Sequence, residues 1–323
     1  MARHTTLAAV VGMVALTGLS ACGNGGSAGG GDAADYPSKT VRLIVPYPAG
    51  GGTDIAARAV APCLEGQLGE TVIVENKAGG SGAVGTTELI SQPADGHTLE
   101  LVLTSSAVVT PLSNDVGYTL EDQQAIGQVA SFPYVILVNG ESSYTTLEDL
   151  LTADADLKAA APGAASQGTL ELEAVKKAGA PITLVPFDGT AGVKSALLGN
   201  QVDFGTAVVD DDLLQQHEKG TLRILGVTSK DRVDYLPDIP AVNEIAGFED
   251  LGAGTSYFGI VAPAGTPEDI TTVLSDSLEG CLAEDSVREI IGPDFVSDTY
   301  VDGPTLQKEF EEQSKAYSAV IGG

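Results

Sequence analysis

The stretch with the clearest chemical potential is Val45-Pro46-Tyr47-Pro48-Ala49-Gly50-Gly51-Gly52-Thr53-Asp54, which joins an apolar run to a helical pattern. Its glycines let the backbone turn with positive φ and let a ligand approach the amides. The helix beyond offers unpaired N–H groups and a partial positive charge, with Thr53 or Asp54 placed to cap it. Together these make an anion site of carboxylate size built without arginine. The same residues read equally well as a plain structural turn with an N-cap. Thr104-Ser105-Ser106, just past a later strand pattern, offers hydroxyls to the same cleft or, alternatively, a second capped helix start.

Other chemistries find little support. Of the three histidines, His4 precedes the folded sequence, and His97 and His217 read as surface or loop residues without neighbours at metal-ligand spacing. There is no HExxH, CxxC or GxSxG pattern, so neither a metal site nor a catalytic serine is expected. Asp210-Asp211-Asp212 reads as a solvated helix start. Gly80-Ser81-Gly82-Ala83-Val84-Gly85 matches GxGxxG, but Asn76 to Gly79 separate it from the preceding strand, where a dinucleotide fingerprint needs its first glycine. No cofactor is expected, and the chain is read as a binding protein rather than an enzyme.

Short β-rich runs, such as Val41–Val45, Thr71–Glu75, Leu99–Leu103, Tyr134–Val138, Ile182–Val185, Val202–Phe204, Leu222–Val227 and Tyr257–Ala262, alternate with helical patterns. Helices are expected from Asp54 to Leu68, Thr86 to Ser91, Leu147 to Leu151, Leu170 to Ala178, Val193 to Leu198, Pro267 to Ala283 and Pro304 to Val320. This alternation predicts a parallel sheet covered by helices, arranged as two α/β lobes with a ligand cleft at the carboxyl ends of the strands.

The chain opens with Arg3 and His4, then runs uncharged and mostly apolar from Thr5 to Ala21, too short for a comfortable bilayer crossing. It ends Leu19-Ser20-Ala21-Cys22, which resembles the lipobox of bacterial lipoproteins. Residues 1–21 are therefore read as an export signal and Cys22 as a diacylated anchor at the outer face of a membrane. Residues 22–35 are Gly-rich and read as a tether reaching about 20 Å. With Arg3 gone, 15 basic residues face 44 acidic ones, a net charge of −29, which argues against a nucleic-acid partner. Cys63 and Cys281 remain, and either a disulfide or two separate buried thiols would account for them.

Several blocks carry a resemblance in family order: Tyr36 to Asp54 with its Pro-x-Pro-x-Gly-Gly-x-Thr-Asp core, Val74-Glu-Asn-Lys-Ala-Gly-Gly-Ser-Gly82, Ala94-Asp-Gly-His-Thr-Leu99, Val185-Pro-Phe-Asp-Gly-Thr-Ala191 and Phe258 to Pro267. In these the chain resembles the TctC or Bug receptors of tripartite tricarboxylate transporters. The resemblance implies a type II, Venus-flytrap periplasmic-binding-protein fold, with 36–133 and 258–323 as lobe 1 and 134–257 as lobe 2. It also implies that a small di-, tri- or aromatic carboxylate is captured and passed to integral membrane subunits by a monomeric receptor. A sensory receptor of the same fold is the alternative. By residue, the resemblance places Tyr47, Ala49, Gly51, Gly52, Thr53, Asp54, Thr104, Ser105 and Ser106 on the lobe 1 side. On the lobe 2 side it places Ser166, Gly168, Thr169, Phe187, Gly189 and Thr190. Thr169 or a neighbour stands where the family usually has histidine, and Phe204 to Asp212 replaces the usual Met-Phe-Asp.

Overall fold

A computed structural model describes residues 36–163, 166–187, 189–252 and 254–322. The signal, Cys22 and the tether lie outside the described residues. The first half contains β1 (Val41–Val45), α1 (Gly52–Leu68), β2 (Val72–Asn76), α2 (Ala83–Ile90), β3 (Thr98–Leu103) and α3 (Thr110–Ser113). The middle contains β4 (Gln123–Asn139), α4 (Leu147–Leu151), β5 (Leu157–Ala161), α5 (Gln167–Lys177), β6 (Ile182–Pro186), α6 (Gly189–Leu198), β7 (Phe204–Val208), α7 (Asp211–Glu218) and β8 (Leu222–Val227). The chain closes with β9 (Thr255–Pro263), α8 (Glu268–Leu282), α9 (Asp285–Ile291) and α10 (Gly303–Ile321).

The apolar runs explain the strands. Val41, Leu43, Ile44 and Val45 of β1 are all fully buried, as a strand covered on both faces requires. The helix α1 buries Ala56, Ala57, Val60 and Leu64 on one side and ends at Gly69, whose φ of 74° lets its N–H reach back to the Glu65 carbonyl. The carboxyl-terminal helix buries Leu306, Phe310 and Tyr317, spaced at near-helical repeats on one stripe.

The strand order is β2-β1-β3-β9-β4-β7-β5-β6, with β8 also on β4. Strand β1 runs parallel to β2 and β3, and β5 runs parallel to β6 and β7. The expected parallel sheet is corrected to a mixed one, because β9 is antiparallel to both β3 and β4, and β4 is antiparallel to β7 and β8. The long strand β4 accounts for this. It pairs with β9 from Gln123 to Pro133, then with β7 from Tyr134 and β8 from Val135 onward. Sequence patterning detected only its second part, Tyr134–Val138. It also placed β7 too early, at Val202–Phe204, and missed β5, whose Leu-Lys-Ala-Ala-Ala sequence has weak strand preference.

Cys63 on α1 and Cys281 on α8 form a disulfide with S–S 2.11 Å and Cα–Cα 5.6 Å. His97 precedes β3 but is not at the surface. It is 9% exposed, accepts the Ser38 N–H at Nε2 (3.2 Å) and meets the Tyr36 ring edge-on. Tyr36 and Ser38 pack over it from about 60 residues earlier, a contact no local pattern encodes.

Candidate functional site

The parallel strands β1, β2 and β3 end at one edge; turns 46–51 and 77–82 follow the first two, and after β3 the chain enters a π-helical turn at Ser105–Val109 that continues into α3, so Thr104-Ser105-Ser106 is a helix start. The first turn leads into α1 with Gly51 as N-cap and no side-chain cap, so neither Thr53 nor Asp54 caps the helix as expected. The first helical bond is Ile55 N–H to the Gly51 carbonyl at 3.0 Å. The N–H groups of Gly52, Thr53 and Asp54 therefore have no intrahelical acceptor.

Asp54 is 4% exposed and holds the turn from inside. Its carboxylate accepts the Gly50 N–H (2.9 Å), Asn76 Nδ2 (2.9 Å) and Arg58 Nε (3.0 Å), while Asn76 also donates to the Tyr47 carbonyl (3.1 Å). The bond from Arg58 is the main reason its pKa falls to about 2. Gly50 sits at φ 86°, a backbone state open to glycine at no steric cost.

The turn after β3 meets the first turn through the Tyr47 hydroxyl, 3.0 Å from Ser105 Oγ. Burial pushes the Tyr47 phenol up, and the Ser105 and Ser106 hydroxyls oppose that rise. Thr104 and Ser106 are fully buried. Thr104 Oγ1 accepts the Tyr257 N–H (3.0 Å) and donates to Gln313 Oε1 (3.0 Å), whereas Ser106 Oγ bonds back to Leu103 N–H (3.2 Å) and carbonyl (3.1 Å). Of the three hydroxyls named from sequence, Ser105 is the half-exposed one.

Sequence reasoning missed the third turn. Gly79, Gly80, Ser81 and Gly82 all have positive φ. A Cβ on Gly82 would lie 2.5 Å from Ser106 Cβ and 3.4 Å from the Tyr47 hydroxyl, so this turn presses on the same spot. The signal was available: a glycine-rich run following a strand parallel to β1.

Strands β5, β6 and β7 are parallel as well, and the second group of expected residues follows the first two of them. Ser166 caps α5, with Oγ accepting the Thr169 N–H (3.2 Å) and lying 3.0 Å from Thr169 Oγ1, which donates to the Gly163 carbonyl (2.6 Å). Gly168 is a packing glycine, since a Cβ there would meet Tyr134 Cε1 at 2.7 Å and Pro162 Cγ at 2.8 Å. Phe187 N–H bonds the Ala161 carbonyl (2.8 Å), and its half-buried ring packs on the core. Gly189 turns at φ 61° into α6, and Thr190 is half-buried in its first turn. One helical turn on, Lys194 pairs with Asp210 (3.3 Å) and Asp212 (2.7 Å). Asp210 caps α7 through the Leu213 N–H (2.7 Å), which gives the acidic run its structural role.

A hollow of 810 Å³ between β4, α8 and α10 is lined by Glu268, Asp276, Glu279 and Asp302 among others, and none of the loop residues above borders it. Among the described residues no cluster could hold a metal ion, and no helix is long and apolar enough to cross a membrane.

The family model described as "Tripartite tricarboxylate transporter family receptor" (TctC) matches residues 56–322. The chain belongs to this family. It is 30% identical over 266 residues to Protein BugT of Bordetella pertussis, covering 79% of each chain. The crystal structure of a TctC solute-binding protein from Polaromonas superposes with a TM-score of 0.81 at 29% identity, covering 89% of this chain and 99% of that one. An adipate-bound protein from R. palustris gives a TM-score of 0.69 at 27% identity, covering 89% and 98%. This TctC receptor is accordingly a two-lobed α/β solute-binding protein that acts outside the cytoplasm, and not an enzyme. Its site turns contain no Lys, Arg or His at 47–54, 79–82, 104–106, 166–169 or 187–190.

Proposed function

We propose that this TctC receptor captures a small organic carboxylate and delivers it to the integral membrane subunits of a tripartite tricarboxylate transporter. The observation that carries the proposal is the Tyr47–Ser105 bond at 3.0 Å, which sets the open N–H groups of α1 beside the turn after β3. A helix N-terminus with its dipole favours a carboxylate, and hydroxyls complete the shell. In this reading Tyr47, Ala49, Gly51, Gly52, Thr53 and Ser105 face the ligand, and Phe187, Gly189 and Thr190 receive it from lobe 2. Asp54, Thr104, Ser106, Ser166, Gly168 and Thr169 hold the loops in place instead. The adipate-bound relative supports a dicarboxylate as the first compound to test.

The lobes are proposed as 36–133 with 258–323, and 134–257, a division supported by the change of β4 partners at Pro133 and Tyr134. A lipid on Cys22 would keep the receptor within reach of its membrane partners, two acyl chains anchoring stably where one does not. The receptor is proposed to act as a monomer.

A thermal-shift screen of di-, tri- and aromatic carboxylates tests the class. A ligand at 100 times its Kd adds about 2.7 kcal/mol of apparent stability. No response to any carboxylate would overturn the proposal. Gly51 then provides the residue test. It has φ −83°, and a Cβ would come no closer than 3.6 Å to the Pro48 carbonyl, so valine fits without unfolding the chain. Gly51→Val is expected to weaken the best ligand at least about tenfold by calorimetry, or roughly 1.4 kcal/mol, by crowding the approach to the amides. Unchanged affinity would remove this turn from the site.

A further inference from the structure

Gln167 follows the Ser166 cap of α5 and is 1% exposed. Its Nε2 donates to the Thr255 carbonyl at the start of β9 (2.9 Å) and to the Tyr317 hydroxyl on α10 (3.0 Å). The same Thr255 carbonyl accepts from Gln313 Nε2 (2.6 Å) and has Thr104 Oγ1 at 3.5 Å. Thr104 also donates to Gln313 Oε1 (3.0 Å). One carbonyl oxygen thus connects the residue before Ser105 with the residue after Ser166. These are the two sides of the site, separated by the change of partners along β4. Thr255 itself lies at that change, paired with Pro133.

We propose that Gln167 is a positioning residue that keeps the lobe 1 turn at 104–109 and the first turn of α5 in register through the Thr255 carbonyl. Buried hydrogen bonds are strong and directional, and a shift of about 1 Å takes them beyond bonding range. Relative movement of the two sides must therefore break or exchange the bonds on Thr255. Gln167 Oε1 has no partner among the described residues. An apolar side chain of similar size removes the link and the unmet acceptor together, so the cost is limited to whatever buried partner is left without a bond. It strands nothing else. Thr255 keeps its bond from Gln313, and Tyr317 keeps its own donation to Glu171 Oε1 (2.6 Å).

The inference goes beyond the carboxylate reading, and its test needs no ligand, so a failed ligand screen would leave it standing. Hydrogen exchange is measured on the ligand-free chain for amides 105–109 and 166–170. Gln167→Leu is expected to raise exchange in both segments by about tenfold or more while the melting temperature moves by no more than about 3 °C. Thr104→Val is expected to raise exchange in both segments too, and Thr104→Ser, which keeps the hydroxyl, to retain wild-type rates. A rise confined to 166–170 in Gln167→Leu, or no rise in either segment, would overturn the proposal.

Discussion

The receptor is expected to lose stability steadily as pH rises from about 5 to 8, by a few kcal/mol, with Glu100→Gln and Glu171→Gln each flattening part of the fall. Glu100 on β3 is fully buried beneath the site turns. Its Oε1 accepts from Thr86 Oγ1 (2.9 Å), and its Oε2 has no partner among the described residues. Glu171 on α5 is 5% exposed, and the Tyr317 hydroxyl donates to its Oε1 (2.6 Å). Burial pushes both carboxyls up to about 8, against about 4.3 in an unfolded chain. Below pH 4 both states hold the proton and the shift has no effect. Between about 4.3 and 8 the unfolded chain releases protons that the folded one keeps, so stability falls as pH rises, and above 8 the loss is complete.

Other shifted groups do not reproduce this slope. Asp54 and Glu244, whose pKa values are lowered to about 2 chiefly by Arg58 and Arg232, lose their contribution only as the pH falls below about 4. His217, lowered by burial, contributes above its unfolded value near 6.5 and loses that contribution as pH falls, which is the opposite slope. Melting temperatures at fixed ionic strength from pH 5 to 8, for the wild type and both glutamine variants, decide the matter. A wild-type profile that is flat or rises would show that these carboxyls are not held neutral by the fold. At pH 8 the Gln variants should melt above the wild type, since each keeps the shape without the ionisable group.

Replacing Cys63 and Cys281 together by alanine is expected to lower unfolding free energy by about 5 kcal/mol on the chain-entropy model. The bridge closes a loop with a sequence separation of 218, so its loss releases a long loop in the unfolded state. It ties α1 to α8. Urea unfolding of the wild type, the double variant and the reduced wild type measures the effect. A loss below about 1 kcal/mol would mean that native contacts between α1 and α8 hold that junction without the bond.

Which parts of the receptor are legible in sequence follows from the range of the interactions. The alternation of strands and helices, the turn before α1 and the open helix N-terminus depend on side chains and glycines a few residues apart, so Val41–Val45, Gly50–Gly52 and Leu222–Val227 could be read directly. The antiparallel placement of β9 and the run of β4 through both sheet halves depend on pairing across more than a hundred residues. The same holds for the site. Thr104, Asp54 and Thr169 have the kinds of polar group an anion site needs, yet each is bonded within the fold, and the Tyr47 and Ser105 hydroxyls bond each other.

Sequence by itself carried the family, and the two-lobed fold it implies, in the resemblance of its blocks, and it marked the turns that could bind an anion, because backbone chemistry at glycines and helix ends is local. Tertiary structure alone decided which polar groups in those turns are bonded within the fold, and that Gly82 packs against Ser106 and Tyr47. A buried donor or acceptor must find a partner, and those partners come from anywhere in the chain.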